Sequence, residues 1–371
     1  MGTNEKPQLN ILEDHMDETF ITLEFKDNML HLIDQRVLPT EYSIFTCKNY
    51  KEVEFAIRDM VVRGAPAIGA TAAYGVVLAA REFKSIFTTE GPTQFRVALG
   101  EACDFLDASR PTAVNLHWAL QRMLHLYDRS KWQTWTAVDN GLLHEADVIR
   151  EEDIATNKAL SKIGNAIVPQ NATILTHCNT GALATAGWGT ALGVIKEAFY
   201  AGKNIFVYAD ETRPRLQGAR LTAWELMQAN IPSKLISDSV GATLIRDGKI
   251  DLVILGGDRV AANGDVCNKI GTFMLSALCK LYGVPFYSVV PVSTIDFSIA
   301  SGAEIPIEER GSEEVTHVGD TQIAPDGMEV YNPAFDVTPH QNITGIITEK
   351  GILYPPFGER IKQIQKEMEI N

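Results

Sequence analysis

The sequence has little that would anchor it, staple it or load it with a cofactor. None of its apolar stretches reaches the ~18 uncharged residues that a membrane-spanning helix needs. The start, Met1 to Pro7, lacks an apolar signal core, and Lys6 stands where a myristoylation site carries Ser or Thr. Cysteines number five (Cys47, Cys103, Cys178, Cys267 and Cys279), with no C-x-x-C. An odd set without that spacing argues against a disulfide framework and a structural zinc, and suits a reducing compartment. We therefore expect a cytoplasmic chain with no membrane partner.

Positive charge is also scarce. There are 33 Lys and Arg against 47 Asp and Glu, for a net charge of −14, and the basic residues form no cluster. Such a surface repels a phosphate backbone, so no nucleic-acid partner is expected. A small anion remains open, because a few arginines in a cleft outweigh distant charge. Missing signatures exclude more. No Gly-Lys-Ser/Thr follows a glycine loop, no G-x-G-x-x-G follows a strand, and H-E-x-x-H is absent. Gly187-Trp188-Gly189 lacks the third glycine. Nicotinamide, flavin and metal therefore have no support, and the expectation is no cofactor.

What is present is a chain of 371 residues, 45% apolar and 22% charged, the composition of a globular protein of about two domains. Residues 1–17 are polar and read as a flexible tail. Residues 21–25 alternate, 26–28 read as a turn, and 29–33 return as a second strand. Helical periodicity then covers 51–62, 66–83, 93–107, 113–128 and 134–167, with Pro66 at a helix N1 position. Past Pro169 the rhythm changes. Strands at 172–176, 205–209, 234–236, 252–255 and 286–290 alternate with helices at 189–201, 219–229 and 268–282. That alternation implies βαβ units and a parallel sheet. The fold class is α/β. A Rossmann-like domain over 169–371 follows a mainly helical domain over 18–168 that carries a small β unit.

Ligands of an open parallel sheet bind beyond the C-terminal ends of its strands. Three loops occupy that edge: 177–182, 210–218 and 256–259. Cys178 and Asp258 should thus face one crevice. A thiol in a strand-to-helix loop is activated by helix amides and nearby cations, or is simply a small buried hydrophobe. Asp258 is a catalytic carboxyl, a helix cap or a partner of Arg259. His177 points away from its neighbour and reads as structural, and His117 and His125 read as packing residues of an amphipathic helix.

The cations add a third line. A Lys or Arg at a helix start opposes the positive end of the helix dipole. Arg63, Arg110, Arg213 and Arg215 each precede a predicted helix, and Asn268-Lys269 opens another. A phosphate held at these ends makes the whole set favourable, whereas any one side chain can also bend into solvent.

At these residues the chain resembles the methylthioribose-1-phosphate isomerases, within the larger family that includes the regulatory subunits of translation initiation factor 2B. The resemblance spans the chain beyond the tail. It is carried by Leu32 to Arg36, by Arg63-Gly64-Ala65-Pro66-Ala67-Ile68-Gly69, by Ser109 to Asn115 and by His177-Cys178-Asn179-Thr180-Gly181 running to Thr185. Further matches are Asp210 to Pro214, Gln217 to Arg220, Gly257-Asp258-Arg259, Asn268-Lys269-Ile270-Gly271-Thr272 and Asn332 to Pro339. It implies aldose–ketose isomerisation of a ribose 1-phosphate derivative in methionine salvage, by a homodimer without cofactor. It implies Cys178 and Asp258 as the catalytic pair. Arg63, Gly64, Ala65, Arg110, Gln217, Asn268 and Lys269 match its substrate-binding positions. Asp258 is expected to protonate the ring oxygen, while hydrogen moves from C2 to C1 as a proton or a hydride. Gly257, Cys267 and the run Ser237 to Gly241 depart from the commoner residues and are expected near the crevice. A 5-deoxyribose 1-phosphate isomerase is therefore the alternative substrate reading. A non-catalytic regulatory subunit is the alternative of another class, and it predicts loss of the pair.

Overall fold

The computed structural model describes residues 20–110 and 114–370, so the predicted tail at 1–17 lies outside the described residues. Three strands open it: β1 (Leu23–Lys26), β2 (Met29–Ile33) and β3 (Ile44–Cys47), paired antiparallel in that order. Asp27 and Asn28 join the first two with φ of 53° and 62°, the backbone that a two-residue hairpin demands. Six helices follow: α1 (Tyr50–Arg58), α2 (Ala65–Glu82), α3 (Lys84–Thr89), α4 (Pro92–Asp107), α5 (Val114–Arg129) and α6 (Trp135–Asn165). Helix α2 is the axle of this half, with every residue from Ala67 to Ala80 buried. Its short Ala and Gly side chains let α1, α4, α5 and α6 pack closely around it. Helix α6 starts on a Thr134 cap that accepts from the Ala137 amide at 3.2 Å. It buries Val138, Leu142, Ala146 and Ile149 in the first core and Leu160 in the second.

The second half is built on a parallel sheet. Its strands are β4 (Thr173–Thr176), β5 (Phe206–Asp210), β6 (Ser233–Ile236), β7 (Leu252–Leu255), β8 (Arg259–Ala261), β9 (Val266–Lys269), β10 (Phe286–Val289) and β11 (Ile295–Asp296). After β12 (His317–Val318) and β13 (Thr321–Gln322) come β14 (Phe335–Thr338), β15 (Gly345–Thr348) and β16 (Gly351–Leu353). The helices are α7 (Ala191–Tyr200), α8 (Ala223–Gln228), α9 (Asp238–Arg246), α10 (Thr272–Tyr282), α11 (Glu313–Thr316) and α12 (Phe357–Ile370). The main sheet runs β16-β15-β10-β7-β4-β5-β6, parallel except for the edge strand β16. Strands β7, β10 and β15 are buried along their whole length, as a sheet covered on both faces requires.

The chain enters this sheet at β4, lays β5 and β6 on one side, then crosses to lay β7, β10 and β15 on the other. The order therefore reverses between β4 and β7. A crevice opens at such a switch point, beyond the carboxyl ends of the two strands. A smaller sheet, β11-β8-β9-β14, stands just past the end of β7.

One expected element is corrected. The helix predicted from 268 starts at Thr272, and Asn268 and Lys269 belong to β9. They pair antiparallel with Asp336 and Phe335, a partner strand from far along the chain that local periodicity cannot reveal. Gly271, at φ 106°, makes the break between strand and helix. Among the described residues no helix is long and apolar enough to cross a membrane.

Candidate active site

At the switch point lies a cavity of about 260 Å³, and the catalytic pair and all seven substrate-binding positions that the resemblance implies line it. Cys178 arrives on the loop after β4 and Asp258 on the loop after β7. Gln217 comes from beyond β5, and Asn268 and Lys269 from β9. The helical half closes the other side with Arg63, Gly64 and Ala65 at the start of α2 and with Arg110 before α5. Gly64 has φ of 96°, and a Cβ there would fall 2.2 Å from the Ala184 carbonyl oxygen. Only glycine lets α2 begin in contact with the loop that carries Cys178.

The backbone of Cys178 is itself unusual, with φ of 64°, a region that non-glycine residues seldom occupy. Both its backbone groups are held: the amide donates to Thr212 Oγ1 at 2.9 Å and the carbonyl accepts from Thr222 Oγ1 at 2.6 Å. Such strain persists only where the surroundings over-determine it, and it collects at functional sites. Burial pushes the other four thiols, Cys47, Cys103, Cys267 and Cys279, up to about 12. None of those four is a thiolate near neutral pH.

Asp258 is solvent-exposed where it opens onto the cavity, although protein surrounds its carboxyl on the other sides. Burial pushes its carboxyl above the usual carboxylate range, against the pull of Lys269, Arg110, Arg310 and Arg63. The two other readings of this residue fall away. A strand rather than a helix follows it, and Arg259 lies 3.7 Å from Asp296 instead.

Four cations surround the pair. Arg63 donates from Nη2 to Asn179 Oδ1, and its Nε is buried without a partner among the described residues. Lys269 donates to the Ala334 carbonyl at 2.8 Å, and its ammonium sits 4.2 Å from the centre of the Phe335 ring. Burial, with Arg310 close by, pulls Lys269 down to about 8. Burial likewise lowers Arg63 and Arg110. Arg310, which sequence reasoning missed, lines the same cavity and pairs with Glu308 at 2.9 Å. Cations crowded in this way favour an anion between them, and the N-terminus of α2 faces the same space.

Comparison with known proteins follows the same lines. Residues 61–355 match the model of the initiation factor 2 subunit family. A protein of Thermoanaerobacter sp. (strain X514), named methylthioribose-1-phosphate isomerase, is 62% identical over 93% of this chain and 99% of its own length. This chain belongs to the initiation factor 2 subunit family, in its methylthioribose-1-phosphate isomerase branch. The crystal structure of 5-methylthioribose 1-phosphate isomerase from Pyrococcus horikoshii OT3 matches with a TM-score of 0.87 at 42% identity, over 95% of this chain and 97% of that one. A structure described as translation initiation factor eIF-2B, subunit delta, from A. fulgidus matches with a TM-score of 0.83 at 40% identity, over 94% and 100%.

Several expectations about the surroundings change. Arg213 turns away to the carbonyls of Pro214 and Val315, and Arg215 to Glu314 at 2.8 Å, so neither lines the cavity. His117 is exposed and meets Asp107 at 3.0 Å, and His125 is exposed too; neither is a packing residue. Of the departures from the family pattern, Gly257 and Cys267 line the cavity while the run from 237 to 241 does not.

His177 is fully buried behind Cys178, with Nδ1 2.9 Å from Asp210 Oδ2 and Nε2 2.9 Å from the Ile270 carbonyl. Burial alone would push it down, yet the Asp210 carboxylate and that carbonyl hold it above its usual value. Ligand atoms of His177, Asp210 and Asp238 come within 4.8 Å of one another. Both ring nitrogens already meet protein acceptors, and Asp238 accepts the amides of Thr212 and Arg213, so the cluster ties loops together.

Proposed function

We propose that the chain isomerises S-methyl-5-thio-ribose 1-phosphate to S-methyl-5-thio-ribulose 1-phosphate, with Cys178 and Asp258 as the catalytic pair. One observation carries the proposal: a thiol and a carboxyl reach a single cavity from the two strands of the switch point, ringed by Arg63, Arg110, Lys269 and Arg310. The named relatives supply the sugar.

The 1-phosphate locks the sugar as a furanose, so the ring opens only if its oxygen is protonated as the bond to C1 breaks. Asp258 suits that task because burial keeps the proton on its carboxyl to higher pH. The proton goes to the ring oxygen, which becomes the C4 hydroxyl. The hydrogen on C2 then passes to C1 with its electron pair, which fills the vacancy at C1 and leaves the positive charge on C2. The C2 hydroxyl loses its proton to become the ketone, and that proton restores Asp258. Cys178 stabilises the charge that moves between C1 and C2. Arg63, Arg110, Lys269 and Arg310 hold the phosphate. These fixed cations meet the phosphate's own negative charge and so hold the sugar in register through each step.

Met60, Ile68, Val114 and Pro306 give the cavity an apolar wall, which suits an uncharged 5-substituent better than a second phosphate. The test is kcat/KM for the 5-methylthio and 5-deoxy sugars side by side. The methylthio sugar should be preferred. A preference for the 5-deoxy sugar would move the substrate assignment, and turnover of neither by folded protein would favour the regulatory-subunit reading. We further infer a homodimer, as the family resemblance implies, and a cytoplasmic location, which five unpaired cysteines suit.

A further inference from the structure

A buried carboxylate outside the cavity is hydrogen-bonded to a side chain that lines it. Glu225 stands on α8, directly after the π-helical turn Gly218–Thr222, and is 3% exposed. It does not line the cavity. Its Oε1 accepts from Asn179 Nδ2 at 2.7 Å, and its Oε2 accepts from the Ala182 amide at 2.8 Å. Asn179 Nδ2 also meets Thr222 Oγ1 at 3.2 Å. A side-chain amide has one donor end and one acceptor end. With the nitrogen claimed by Glu225 and Thr222, the Asn179 oxygen is left to face Arg63, whose Nη2 donates to it at 2.5 Å.

The same group of residues reaches Cys178. Thr222 Oγ1 donates to the Cys178 carbonyl at 2.6 Å, which holds that residue in its positive-φ conformation. Glycine at 181 is part of the device, since a Cβ there would lie 2.1 Å from Glu225 Oε2. Burial opposes the charge on Arg63, while the Cys178, Glu225 and Asp258 side chains support it. Glu225 thus stands behind Arg63 as a fixed counter-charge, one amide removed.

We propose that Glu225 is a positioning residue that aims the Arg63 guanidinium through Asn179 and so sets the cavity's affinity for phosphate. The proposal rests on the reading of the cavity as a sugar-phosphate site. Replacing Glu225 by Gln puts a donor against either Asn179 Nδ2 or the Ala182 amide. Asn179→Asp sets one carboxylate against another. The double variant Glu225→Gln/Asn179→Asp restores the two main contacts, with the Gln nitrogen donating to the Asp and the Gln oxygen accepting from Ala182, and loses only the longer 3.2 Å contact to Thr222.

The experiment is titration of the full chain with inorganic phosphate by calorimetry, with KM for methylthioribose 1-phosphate and Tm measured alongside. Each single variant should bind phosphate about tenfold more weakly, the scale of one hydrogen bond to a charged group. The double variant should recover most of that loss. A role confined to stability would lower Tm in the singles and leave phosphate affinity of the folded protein unchanged, which overturns the proposal. So does a double variant that binds no better than its weaker parent. If the singles do not fold, the double variant decides alone: near-wild-type affinity supports the relay, and weak binding by folded protein sinks it. Wild-type protein that binds no phosphate would sink the sugar-phosphate reading itself, whereas wild-type binding with unaffected variants sinks only the relay.

Discussion

The two halves of the molecule meet at one cavity and bring it different things. The helical half contributes Arg63 and Arg110, charges held at the starts of helices and unable to lose their protons. The sheet half contributes Cys178 and Asp258 from neighbouring strands, together with Lys269; burial pushes the Asp258 carboxyl up and the Lys269 ammonium down. The difference suggests a division of labour, with grip from the helices and chemistry from the switch point. Arg310 and Lys269 are the exceptions, two phosphate-holding cations that arrive from the sheet half.

The sharpest way to break that division is Cys178→Ser. It should lower kcat by ~10²–10⁴, the usual worth of a catalytic group, with KM and Tm nearly unchanged. Next comes Arg63→Ala or Arg110→Ala, which should raise KM roughly ten- to a hundredfold, the scale of lost charge-assisted hydrogen bonds, and touch kcat less. An arginine variant with unchanged KM and a collapsed kcat would mean that the helical half takes part in the chemistry.

Gly64→Ala tests the seam between the halves. Its positive φ and the contact with Ala184 should cost about 1–3 kcal/mol in a denaturant titration, and wild-type stability would show that the two halves do not approach so closely there. The smallest effect is on pH dependence. Lys269 has its pKa lowered to about 8, so its charge is present below that pH and lost above it. KM for the sugar phosphate should therefore rise a few-fold as pH passes upward through about 8. Lys269→Arg should flatten that limb, because arginine stays charged.

Legibility in the sequence followed the range of each signal. The run Leu252 to Leu255 is a strand with the bounds its pattern announces, because four buried aliphatics between breaks need no distant partner to be recognised. Pro66 likewise marks the start of α2, which falls one residue earlier, at Ala65. Local periodicity places Asn268 and Lys269 at the opening of a helix. They line the cavity for another reason, as residues of a strand whose partner lies near Phe335. Arg310 was invisible, since the helix it precedes, α11, has only four residues and leaves no periodicity to read; its acidic partner Glu308, two residues away, is only half-buried. The reversal of strand order that brings Cys178 beside Asp258 is a property of pairing, and no local pattern encodes it. Glu225 was hidden for the same reason, as one acidic residue on an ordinary helix whose partners are supplied by other loops.

The most direct measurement is the kcat of Asp258→Asn with methylthioribose 1-phosphate at neutral pH, on protein shown to be folded. Asparagine keeps the shape and cannot protonate a ring oxygen, so turnover should fall by ~10²–10⁴ while the sugar phosphate still binds. A kcat near that of the wild type would contradict the role assigned to Asp258.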